Sequence, residues 1–102
     1  MEVRMYESKI QNPETDELFQ AVLALQSVEE CYRFFEDLCT IKEVSEMAQR
    51  LEVAKMLRNG MTFNAIAEET GASTATIARV NKCLLYGAKG YTTILNRIDP
   101  KE

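Results

Sequence analysis

The chain has 102 residues, 46% of them hydrophobic, with four glycines, two prolines, no tryptophan and a formal charge of −4. That is the composition of one globular domain, neither disordered nor low-complexity. The absence of histidine excludes imidazole catalysis and histidine-containing metal sites. No apolar run approaches the ~20 residues of a membrane span, and no charged-then-apolar signal segment opens the chain, so a cytoplasmic location is expected. Cys31, Cys39 and Cys83 form an odd set without CxxC spacing, which reads as reduced, packed thiols rather than a disulfide framework or zinc cluster.

Divided along the chain, the charge becomes asymmetric. Residues 1–47 hold four basic residues (Arg4, Lys9, Arg33, Lys42) against eleven acidic ones, a balance of −7. Residues 48–97 hold seven basic residues (Arg50, Lys55, Arg58, Arg79, Lys82, Lys89, Arg97) against Glu52, Glu68 and Glu69, a balance of +4. This points to a basic working face in the second half and an acidic, solvated first half.

Asn12-Pro13 opens the first helix, with asparagine as N-cap and proline at the first helical position, and acidic Glu14, Asp16 and Glu17 follow where they complement the helix dipole. This helix is expected to reach about Gln26, with Leu18, Ala21, Val22 and Leu25 on one face. Ser27-Val-Glu-Glu30 has the form of a capping box and starts a second helix, whose Val28, Cys31, Tyr32, Phe35, Leu38 and Cys39 follow helical spacing. Thr40-Ile-Lys-Glu43 is a second capping box and opens a long third helix to about Arg58, its stripe being Ile41, Val44, Ala48, Leu51, Ala54 and Leu57. Asn59-Gly60 is a stop, since both residues tolerate the left-handed conformation. Thr62 caps a short helix through Thr70, Gly71 makes a turn, and Ser73 caps another helix to about Tyr86. Gly87 and Gly90 bracket a break before a final short helix bearing Tyr91, Ile94, Leu95 and Ile98.

The reading is therefore one all-α domain over 1–102, of about six helices without strands, repeats or linkers. Residues 12–58 supply dimerisation helices, 62–86 a helix-turn-helix and 90–98 a C-terminal helix. Phe19, Leu23 and Phe34 lie off the main stripes. A surface helix of a small monomer buries one face, so wider burial points to a second copy. Crowding of several short helices is the alternative.

The run from Phe63 to Lys82 carries the function. A short helix, a glycine turn and a second helix form the helix-turn-helix arrangement. Ala67 is small where the helices cross, Gly71 permits the tight turn, and Ile66, Ile77 and Val80 are apolar pins. Ser73, Thr74, Ala75, Thr76, Arg79 and Lys82 are left outward. Small residues let such a helix sit deep in a major groove, where threonine and alanine meet thymine methyl groups, hydroxyls bond base edges, and arginine addresses guanine or phosphate. A plain helical hairpin with a polar outer face is the competing reading.

Leu38-Cys-Thr40, Arg50, Leu57-Arg58, Met61-Thr62, Gly71-Ala72 and Ala75-Thr76-Ile77-Ala78-Arg79 keep an order that resembles the tryptophan-repressor superfamily over residues about 38–97, and the whole chain resembles its YerC/YecD-type branch. The resemblance implies an intertwined helical homodimer in which each helix-turn-helix reads half of a palindromic operator. It adds Thr62 and Asn64, at the start of the first motif helix, to the DNA-facing set, and implies that Phe63 packs rather than reads. It also implies an effector pocket of Thr40, Arg50, Arg79, Val80 and Cys83. Two departures argue against tryptophan there: Val80 stands in place of the family's glycine, and Cys83 in place of its serine. Arg50 and Arg79 then serve another small-molecule effector, contact phosphate, or pair with Glu43, Glu46 or Glu52.

The expected function is a DNA-binding transcription regulator, a repressor acting on double-stranded DNA as a homodimer. The alternative is a helical protein–protein interaction module whose motif is only architecture. Catalytic residues, metal ligands and cofactors are not expected: Glu43, Glu46 and Glu52 share one helix, without a nucleophile–base pair, metal-ligand spacing or a phosphate-cradling loop.

Overall fold

The computed structural model describes residues 6–100. Arg4, one of the basic residues of the charge balance, lies outside them. Six helices occur in the order α1 (Pro13–Ala24), α2 (Val28–Leu38), α3 (Ile41–Arg58), α4 (Phe63–Thr70), α5 (Thr74–Tyr86) and α6 (Gly90–Ile98), and no strand occurs among the described residues. The chain divides into two compact units, residues 1–39 and 40–102.

In the first unit the helix starts follow local chemistry. The Asn12 side chain accepts the Thr15 amide at 2.7 Å, and Pro13 occupies the first helical position. Helix α1 stops at Ala24, two residues before the expected Gln26, because Leu25 is already extended and the Gln26 amide is drawn to the next cap. There, Ser27 Oγ accepts the Glu30 amide at 3.1 Å, while the Glu30 carboxylate accepts from Gln26, one residue earlier than a regular box requires. Phe34 and Phe35 meet edge to face with ring centroids 5.6 Å apart. Neither α1 nor α2 buries a single residue, and Phe19, Leu23, Val28 and Tyr32 are exposed.

The second unit holds the core. Thr40 and Glu43 form the complete capping box, with bonds of 3.1 and 2.8 Å. Helix α3 packs on α4, α5 and α6, and Val53, Ala54, Ile66, Ala72, Ile77, Val80 and Leu95 form a single buried cluster. Met56, Leu57, Met61, Ala67, Leu84 and Tyr91 pack around it. The inward face of α3 differs from the expected stripe. Ile41 is 87% exposed and Ala48 and Leu51 are also exposed, whereas Val53 is fully buried. Core partners meet only the second half of α3, and they select Val53 and Met56, which the spacing alone had passed over.

At the stop after α3, Gly60 takes the left-handed conformation at φ 85° and Asn59 does not. Between α5 and α6 the left-handed residue is Lys89, at φ 68°, and neither bracketing glycine. Gly87 is needed there for a different reason: a Cβ would lie 2.4 Å from the Cys83 carbonyl oxygen. Arg58, at the end of α3, donates to Asn96 Oδ1 at 2.8 Å and to the Asp99 carbonyl, and its guanidinium lies 3.6 Å from the Asp99 carboxylate. The cysteines are free thiols, but Cys31 and Cys83 are exposed and not packed as expected, since neither belongs to the buried cluster.

Candidate nucleic-acid interface

Helix α4 starts at Thr62, whose hydroxyl accepts the Ala65 amide at 3.1 Å, and ends at Gly71. Gly71 adopts φ 75° and ψ 4°, and its amide donates to the Ala67 carbonyl at 2.8 Å. No atom lies within 4 Å of where its Cβ would stand, so the glycine answers a backbone requirement and not a shortage of space. Two residues on, Ser73 caps α5 by accepting the Thr76 amide at 3.1 Å.

Ile77 and Val80 turn one side of α5 into the core with nothing left accessible beyond 1%. Helical geometry then sends Thr74, Ala75, Ala78, Arg79 and Lys82 outward, and all are exposed. Ser73, Thr62 and Asn64 are exposed as well, and Thr76 is half-buried. Phe63 keeps 37% of its surface accessible and stands apart from the core cluster. Ala78 was not among the candidates, although its position four residues after Thr74 places it on the same face. Helix α5 carries Arg79 and Lys82 and no acidic residue. The first-turn amides that the Ser73 cap leaves unpaired, together with the helix dipole, add to a positive face able to lie against a polyanion.

The candidates for an effector pocket are dispersed in role. The Thr40 hydroxyl is engaged in its capping box, and Val80 is core, 1% exposed. Arg50 is half-buried and Arg79 exposed, and neither enters a salt bridge among the described residues. Cys83 lines an apolar recess of about 380 Å³ with Leu51, Ala88, Gly90, Tyr91 and Ile94. Among the described residues no arginine lines that recess, so it offers no guanidinium to pair with a carboxylate.

Among the described residues no group of cysteines and carboxylates is placed to hold a metal, and no helix is long and apolar enough to cross a membrane.

The family model for the Trp repressor protein matches residues 13–99. The uncharacterized protein YerC of Bacillus subtilis (strain 168) is 55% identical over 94 residues, covering 92% of this chain and 90% of YerC. The crystal structure of a TrpR-like protein from Eubacterium eligens ATCC 27750 superimposes with a TM-score of 0.87 at 51% identity, over 92% of this chain and 97% of that one. A second solved structure, from Staphylococcus aureus, gives a TM-score of 0.86 at 49% identity, covering 91% and 93%. With a matched span that takes in α1 through α6, this chain belongs to the Trp repressor family of DNA-binding regulators.

Proposed function

We propose that this chain is a sequence-specific transcription regulator, a cytoplasmic repressor that binds a palindromic operator as a homodimer. The observation that carries the reading is the outward face of α5, with Thr74, Ala75, Arg79 and Lys82 exposed over the buried Ile77 and Val80. In this reading Thr74 and Ala75 approach base edges, Arg79 addresses guanine or phosphate, and Lys82 binds phosphate. Thr62, Asn64, Ser73 and Thr76 complete the interface at the N-terminal ends of α4 and α5, where phosphate is favoured. Family membership supports the DNA partner.

Dimerisation is supported by α1 and α2, which bury none of their residues and leave Phe19, Leu23, Val28 and Tyr32 exposed. A patch of that kind on a helical chain calls for a partner, and a symmetric second copy would set two reading helices about one turn of DNA apart, ~34 Å. The regulator works without tryptophan, because Val80 occupies core volume and Cys83 offers a poor hydrogen-bond partner.

The test is selection of duplexes from a random pool at moderate salt, with the Ser73→Asp, Arg79→Ala double variant alongside. Enrichment of a two-half-site palindrome by the wild type alone is expected. Equal enrichment by both proteins would place the reading surface elsewhere, and no enrichment by either would favour a protein-interaction module.

A further inference from the structure

We infer that Gln49, on α3, is a positioning residue for the reading helix, an inference that rests on the DNA-binding reading above. The half-buried Gln49 side chain donates from Nε2 to the Thr70 carbonyl at 3.1 Å. Thr70 is the last residue of α4, so its carbonyl is among those that the helix itself leaves without a partner. The Gly71 amide does not supply one, since it turns back to Ala67.

Thr70 is also the polar centre of the turn. Its hydroxyl donates to the Ile66 carbonyl at 2.7 Å and accepts the Ala72 amide at 3.1 Å. Ala72 is 5% exposed and directly precedes Ser73, the cap of α5. Two hydrogen bonds and one peptide link therefore connect α3 to Ser73, the cap of α5.

The core that α3 shares with the motif is apolar, formed by Val53, Ala54, Ile66, Ile77 and Val80. Apolar burial is non-directional and leaves small slides and rotations of a helix inexpensive, whereas a hydrogen bond weakens steeply with misalignment. Among the described residues, the other side-chain hydrogen bonds that α3 makes to later parts of the chain come from Arg58 and go to Asn96 and Asp99, leaving the motif to Gln49. Its contribution is a fixed presentation of α5 more than stability, and base readout is the property that tolerates misplacement least.

The experiment uses the full chain with Gln49→Met, which keeps length and packing and removes the donor, and Gln49→Lys, which returns a donor. Two quantities are read: amide hydrogen exchange in the free protein, and the ratio of Kd for a shuffled duplex to Kd for the selected palindrome at one salt concentration. In Gln49→Met, exchange at Ala72 should rise while the Val53 and Ile66 amides stay protected. The ratio should fall about five-fold, the effect of one neutral hydrogen bond, and Gln49→Lys should recover most of it. An unchanged Ala72 amide with an unchanged ratio overturns the inference. A parallel rise at Ala72, Val53 and Ile66 also overturns it, because Gln49 would then only stabilise the fold. If the wild type selects no duplex, it is the DNA reading that falls, and the role of Gln49 with it, whatever the Ala72 amide does.

Discussion

Ser73 and Thr76 are joined twice across the first turn of α5: the Thr76 amide donates to Ser73 Oγ at 3.1 Å, and the two hydroxyls lie 3.1 Å apart in a second hydrogen bond. The N-terminus of the reading helix is thus ordered before any ligand arrives. Replacing Ser73 by alanine removes both bonds and should cost about 1 kcal/mol of stability. Aspartate at the same position keeps an acceptor for the Thr76 amide and should hold the melting temperature within a few degrees. The same aspartate places a negative charge at the DNA-facing end and should weaken binding at least ten-fold. Thermal melts beside duplex titrations of the two variants separate capping from reading.

Arg79→Ala should leave the fold in place, because Arg79 is exposed, makes no salt bridge among the described residues and gives way to a better helix former. Stability should change by no more than about 0.5 kcal/mol. Affinity for the selected duplex should fall about ten-fold or more, by the roughly 1–3 kcal/mol of one specific contact. If Arg79 meets phosphate, the log–log salt slope should also shrink by about one unit. A titration series between low and moderate salt gives both numbers.

Gly71→Val should be the most damaging single change in the turn. The backbone there sits at φ 75°, and a left-handed residue with a Cβ costs roughly 1–2 kcal/mol, more when β-branched. Gly71→Asn should be milder, since asparagine visits that region more readily. Melting temperatures in the order wild type, Asn, Val are the expected result, and an unchanged value for Val would contradict the observed turn.

Arg58→Met should loosen α6 from the end of α3. The side chain is only 15% exposed, and its loss leaves Asn96 Oδ1 and the Asp99 carbonyl without their donor. The expected cost is about 1–3 kcal/mol, seen as a lower midpoint in urea at unchanged m-value.

Titration with L-tryptophan should give no heat of binding and no change in operator affinity. The basis is Val80, closed into the core, and an apolar recess that no arginine lines among the described residues. Micromolar binding at both sites of a dimer would require Val80 to leave its place.

Helix starts were the most legible feature of the chain. Asn12, Ser27, Thr40, Thr62 and Ser73 all cap as their local sequence indicates, because a cap reaches only three residues ahead. The inward side of α3 was not legible in the same way. Ile41, Ala48 and Leu51 are as regularly spaced as Val53 and Met56, and only the positions of α4, α5 and α6 decide between them. The break after α5 falls between Gly87 and Gly90 as their spacing indicates, but its detail was not legible: the left-handed conformation falls on Lys89, while Gly87 is required by a close carbonyl. In the candidate interface, the pins Ile77 and Val80 placed Thr74, Ala75, Arg79 and Lys82 outward, but Thr76 is half-buried and the exposed Ala78 was passed over. Gln49 lies 21 residues from Thr70 along the chain, and no local pattern foretells such a bond.

The bare flanks of α1 and α2 have a consequence for gene dosage. A helix pair that buries none of its own residues gains little by folding alone, so its order is coupled to whatever covers it. If a second copy does so, the active species rises with the square of chain concentration while copies are scarce. Occupancy of a control region would then respond to expression as a threshold, silent over a low range and steep above it.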